Sequence, residues 1–202
     1  YADQYSWLSN FKGTIDDLRL HNVVLKQWEV EFLCDTEKFL QINGEITEKS
    51  QNQMGHWTFD GNTDDSSDNQ NHGNLISGEF VDDRDGKGMS ALQLNGSTDY
   101  VHVSDSESLN ASDQFSVSMW LKIDSFSNTW SPVFHKGANN FMSGGKDRHY
   151  AFWLKNNGIG CFVSAGNNNV QKAHNVSIPV GEWFHYGMSL NRIDQIANIY
   201  LN

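Results

Sequence analysis

From residue 115 to 123 every second position is apolar: Phe115, Val117, Met119, Leu121 and Ile123, with Ser116, Ser118 and Lys122 between them. A period of two belongs to a β-strand with one face buried. Similar alternation marks residues 91–94, 100–103, 150–154, 159–163, 183–190 and 197–201. Turn chemistry separates these runs at Asn95-Gly96, Gly144-Gly145, Asn157-Gly158 and Gly166. Many short strands without a long helical pattern between them predict a sandwich or a barrel. One short helix is predicted near residues 25–34, where Leu25, Trp28, Val30, Phe32 and Leu33 recur among Lys and Glu. From Asp35 to Gln53 the pattern fades apart from Phe39, Leu40 and Ile42, and the segment reads as a linker.

Composition narrows the function classes. A chain of 202 residues can bury a full core. A formal charge of −11 argues against nucleic acid as a partner, since phosphate binding is driven by clustered Lys and Arg. No run approaches the roughly 18 apolar residues that a helical membrane span needs. The chain opens on Tyr1, which reads as a processed or excised piece of a larger protein. Cys34 and Cys161 fit no zinc spacing and read as two small buried thiols in preference to a disulfide.

The run HWTFDGNTDDSSDNQNHGNL, residues 56–75, resembles the opening of bacterial laminin-G-like domains of the concanavalin A-like lectin/glucanase type. The resemblance continues through ALQLNGSTDYVHVSDSESLN, FSVSMWLKID, VFHKG, GEWFHYGMSL and the terminal IYLN, so it covers most of residues 54–202. It implies an all-β fold: a two-sheet antiparallel β-sandwich, or jelly roll, with one short helix. The family's closing strand and helix also have counterparts, FKGTIDDLRL and LKQWEVEFL, but these stand at the front. The tail of the pattern thus precedes its head, as in a slice through a tandem array or in a permuted domain.

Open sheet edges favour closing the fold within the chain. The expectation is one module over residues 1–202, in which 1–34 supply the closing strands and helix, 35–53 a linker, and 54–202 the opening and central strands. Sandwich termini often lie close together, which allows such an order. A monomer closed on itself is favoured over a domain-swapped dimer.

Strict alternation through Thr14–Leu20 places Asp16 on the same face as Leu18 and Leu20. A carboxylate aimed at a core needs a partner. Calcium takes about six to eight oxygens, carbonyls included. The resemblance implies a structural calcium ion between the first turn and the closing strand, with Asp16, Asp60, Asn62, Asn71 and Gly73 as its ligands. Asp65 reads as a turn former, and the acidic run around Arg84 (VDDRDG) as a solvated loop.

A glycosidase needs two facing carboxylates. The nearest pair, Glu29 and Glu31, falls on the predicted helix, where neighbours two apart diverge. The four histidines in strand-like sequence, His102, His135, His149 and His185, read as structural imidazoles. The chain is therefore expected to be a non-catalytic, secreted or cell-surface module that binds a polysaccharide or other glycan, or mediates adhesion. The alternative is a structural or protein-interaction repeat beside neighbouring modules. Candidate sugar contacts are Trp120, Trp130, Arg148, His149 and Trp153, since aromatic faces stack on sugar rings.

Overall fold

Each alternating run forms a strand in the computed structural model, because each has one apolar face to bury. The structure describes residues 11–34, 52–111, 113–126, 131–137, 148–155, 158–165, 168–174 and 177–201. Most of the expected linker, residues 35–51, lies outside them. In chain order the elements are β1 (Lys12–His21), α1 (Gln27–Cys34), β2 (Gln53–Trp57), β3 (Gly73–Ser77), β4 (Glu79–Val81) and β5 (Ala91–Asn95). They continue with β6 (Tyr100–Val103), β7 (Gln114–Ile123), β8 (Ser131–Gly137), β9 (Arg148–Lys155) and β10 (Gly158–Ala165). The last three are β11 (Asn168–His174), β12 (Trp183–Asn191) and β13 (Ile196–Leu201).

The larger sheet runs β13-β12-β7-β1-β5-β4, and β2 also pairs with β1. The second sheet runs β11-β10-β9-β8, and β3 and β6 form a separate ribbon. All pairings are antiparallel. The two main sheets meet through aromatic side chains. Phe115 of β7 stacks on Tyr150 of β9 at 4.6 Å between ring centroids, and Tyr186 of β12 lies 4.1 Å from Phe152 of β9. One core of buried residues runs through both layers, and the chain is a two-sheet antiparallel β-sandwich.

The N-terminal strand occupies the middle of the larger sheet. One edge of β1 pairs with β7. Its other edge is shared: Lys12–Ile15 pair with β5, and Leu18–His21 with β2. Here the strict alternation expected through Thr14–Leu20 fails. Asp16 stands opposite Trp120 and Arg19 opposite Ser118, so Asp17 and Leu18 together face the single Met119. This is a β-bulge, and Asp17 takes a left-handed φ of 52° to make it. The bulge shifts the phase of the strand. Ile15, Leu18 and Leu20 point to the core, while Asp16 joins the outer face with Trp120. The odd interval from Ile15 to Leu18 is the sequence signature of that extra residue.

Strand β7 departs from half-burial in a second way, since Ser116 and Ser118 on its outer face are also buried. Helix α1 covers them. Ser116 Oγ accepts from Leu25 N at 2.8 Å and donates to Val23 O at 2.6 Å, tying the helix approach to the sheet. Glu29 Oε2 reaches back to Lys26 N at 2.8 Å, as in the N-terminal half of a capping box. Leu25, Val30 and Leu33 then form a small second core, whereas Trp28 turns outward. The approach is close: a Cβ on Gly187 of β12 would fall 2.2 Å from Val30 Cγ1. Overpacking of this kind costs about 1–3 kcal/mol. Gly187→Ala is accordingly expected to lower the thermal midpoint, and Gly187→Ala with Val30→Ala to recover part of it. Deleting residues 1–34 is expected to leave a chain without a cooperative melt, detectable by circular dichroism and light scattering.

Candidate functional site

The bulge in β1 sets up a polar cluster on the outer face of the larger sheet, beside the area that α1 covers. Three side chains lie in line across neighbouring strands: Asp16 on β1, Trp120 on β7 and His185 on β12. The Trp120 and His185 rings are 5.3 Å apart and tilted by 57°. Arg84, from the loop between β4 and β5, folds over this line. Its guanidinium carbon sits 4.7 Å from the Trp120 ring centroid, and its Nη1 donates to Asp16 Oδ2 at 2.6 Å. The Trp120 indole N–H is sealed from solvent without an acceptor.

Asp17 anchors the neighbouring part of the cluster. His56 Nε2 on β2 is 2.6 Å from Asp17 Oδ1, and Arg19 Nη2 is 2.9 Å from Asp17 Oδ2. Arg19 Nε also lies 3.1 Å from His56 Nε2. With its proton donated to the carboxylate, that nitrogen has no lone pair left for Arg19, so this last contact is proximity and not a second hydrogen bond.

Burial acts differently on these groups. It pushes the Asp16 carboxyl up to about 7 against the pull of Arg84, with Asp17 and Asp83 adding to the rise. Burial also acts to raise Asp17, but the His56 hydrogen bond and the Arg19 charge outweigh it and hold this carboxyl below the usual range. His185 is pushed down to about 4 by burial, with Arg19 and Arg84 adding to the fall, so its imidazole is neutral at physiological pH.

The expected calcium ligands are divided among separate arrangements. Asp16 and Asp60 are each paired with a cation, Asp60 Oδ1 accepting from Lys87 Nζ at 2.8 Å. Asn62 stays within its own turn, where Oδ1 accepts from Asp64 N at 2.8 Å. Asn71 belongs to a lattice around Asp65, whereas Gly73 pairs with Thr63. The Asp65 carboxylate accepts from the backbone N–H groups of His56, Ser67 and Asn71, each at 2.8 Å, and from Ser67 Oγ at 2.9 Å. Asn71 Nδ2 donates to Met54 O at 2.9 Å, and Gly73 O accepts from Thr63 Oγ1 at 2.8 Å. Among the described residues no three His, Cys, Asp or Glu side chains are grouped to hold a metal. As arranged, the donor set does not fit a calcium ion, because the two carboxylates that would carry its charge already face Arg84 and Lys87.

The acidic run is thus more than a solvated loop, since Arg84 reaches inward from it. Trp120 lies on the outer face of the larger sheet, half-buried beneath Arg84. Trp153 is not a surface platform. It is 5 % exposed, because both faces of β9 are covered and alternation there no longer separates inside from outside. Trp130 and the side chains of Arg148, His149 and Cys161 lie outside the described residues. Sequence reasoning missed Asp17, Arg19, His56, Arg84 and Lys87. The odd Ile15–Leu18 spacing could have pointed to the first two.

The linkage of Asp16 to stability has a definite sign. Its native value lies above the unfolded 3.8, so the native state holds more protons and stability falls as pH rises from about 4 to 7. For His185 the native value lies below the unfolded 6.5, and stability falls as pH drops from 6.5 to about 4. Relative to wild type, the melting temperature of Asp16→Asn is expected to gain with rising pH across the first window. That of His185→Gln should gain with falling pH across the second. Melts from pH 4 to 8 check both slopes.

Two comparisons, with curated proteins and with solved structures, return no match. The third finds the laminin-G family described as the concanavalin A-like lectin/glucanases superfamily, matched over residues 95–202. That stretch is more than half of the chain and carries β7, the central strand β9 and the β12–β13 hairpin. With this match and its two-sheet antiparallel architecture, the chain belongs to the laminin-G-like family of the concanavalin A-like lectin/glucanase superfamily.

Proposed function

We propose that this chain is a non-catalytic, extracellular module that binds carbohydrate on the outer face of its larger sheet, where Trp120, Arg84 and His185 meet. The family is one of binding modules, which supports the coarser part of this reading. The observation that carries the finer part is the Trp120 ring, its N–H unmet, set between Asp16 and His185 and beneath Arg84. Together they form an aromatic surface ringed by donors and acceptors, suited to sugar hydroxyls once Arg84 swings outward. Asp16 is tied to Arg84 and Asp17 to Arg19 and His56, so the two do not make the free facing pair that a glycosidase uses. Residues 1–202 act in this reading as a single module, with β1 and α1 as its closing elements. Among the described residues no helix is long and apolar enough to cross a membrane.

A second reading, a protein-interaction repeat, is favoured by β13, which ends the larger sheet among the described residues and exposes Ile196 and Leu201 near Ile193. Edges of this kind accept a further strand or a neighbouring module. A glycan array followed by titration of the best ligand separates the two. Trp120→Ala is expected to weaken glycan binding at least about fivefold, an aromatic stacking contact being worth on the order of 1 kcal/mol or more. An array without binders, together with self-association through β13, would instead establish the interaction repeat.

A further inference from the structure

The loop between β4 and β5 contributes two cations three residues apart, and each meets a carboxylate from a different part of the chain. Asp83 shapes the loop: its Oδ1 accepts from the backbone N–H groups of Asp85 at 2.9 Å and Lys87 at 2.8 Å. Its own N–H donates to Lys87 O at 3.0 Å, and Ser90 N donates to Val81 O at 2.9 Å to close the base. Arg84 then points to Asp16 on β1, and Lys87 to Asp60 in the turn after β2. The first pair is largely withdrawn from water, while the second is well exposed. Lys87 also lies within electrostatic reach of Asp16 and Asp83.

We propose that Arg84 and Lys87 are built-in counter-cations that take the place of a bridging divalent ion, so that this module closes its front strand onto its first turn without metal. A bridging cation has two tasks at such a junction: to neutralise carboxylates from segments remote in sequence, and to hold those segments together. The loop performs both. Its base is fixed by the β4–β5 pairing, and β5 itself pairs with β1, so the cations arrive on a scaffold already bonded to the strand they neutralise. Arg84 gains a further hold from the Trp120 face, which a compact metal ion would not use. Of the two cations Arg84 carries the greater part, because exposed pairs such as Lys87–Asp60 contribute little. Arg84 is shared with the proposed glycan site, but its role here belongs to the unliganded module, and melts without sugar read it whether or not a glycan binds.

The test is a set of thermal melts on the full chain, with metal content read by elemental analysis. The wild type is expected to melt at the same temperature in excess EDTA and in excess calcium, and to purify without stoichiometric calcium. Arg84→Met is expected to lower the midpoint by roughly 5 °C or more, because it strands a buried carboxylate. Asp16→Asn in the Arg84→Met background should restore most of that loss, since no charge is then left to answer. A wild-type midpoint that falls in EDTA, with about one calcium per chain recovered, would overturn the proposal. So would an Arg84→Met melt identical to the wild type. If Arg84→Met does not fold, the double variant decides: a folded double variant supports the pairing, and an unfolded one contradicts it.

Discussion

A strand at the centre of a sheet needs its backbone groups met on both sides, and in this molecule that strand is the N-terminal Lys12–His21. It bonds β7 along one edge and shares the other between β5 and β2. Without it β7 would face an open edge, and β5 and β2 would lose the partner that aligns them. Unpaired buried peptide groups cost several kcal/mol each in an apolar medium, so the sheet cannot be left open there. The first part of the chain is in this sense the middle of the fold.

The same strand positions the polar cluster. Its bulge at Asp17 turns Ile15, Leu18 and Leu20 inward and leaves Asp16 on the opposite face, beside Trp120. A regular strand would have driven that carboxylate into the core with Leu18 and Leu20. The left-handed φ at Asp17 is costly for a residue other than Gly, and its carboxylate is held by His56 and Arg19 on either side. Strain in the backbone and satisfaction of the side chain therefore meet at one residue. The rest of the outer face is divided between α1, which needs Ser116 and Gly187 to come close, and the β4–β5 loop, which brings Arg84.

Much of the architecture was legible because it depends on local periodicity. Phe115 to Ile123 could be read as a strand from alternation alone, and Val30 and Leu33 as a helix face from their spacing. The motifs from FSVSMW to IYLN lie within the stretch that the family match covers. The site was harder to read for a physical reason: its partners come from loops and bulges, where no period constrains them. Nothing in VDDRDG distinguishes Arg84, which stacks on Trp120, from Asp85 beside it, which faces water. Asp65 could be read as a turn former because an Asx turn is local, with Ser67 N–H only two residues away. Trp153 was misread because alternation reports two environments only when one face of a strand is open, and β9 is covered on both.

Amide hydrogen exchange, resolved to individual residues on the monomeric fraction, tests the placement of the front strand most directly. Paired on both edges, β1 amides such as those of Ile15 and Leu20 should exchange as slowly as those of Val117 and Met119 in β7, through global opening alone. Exchange of the β1 amides at the rate of an exposed tail, while β7 stays protected, would contradict the account.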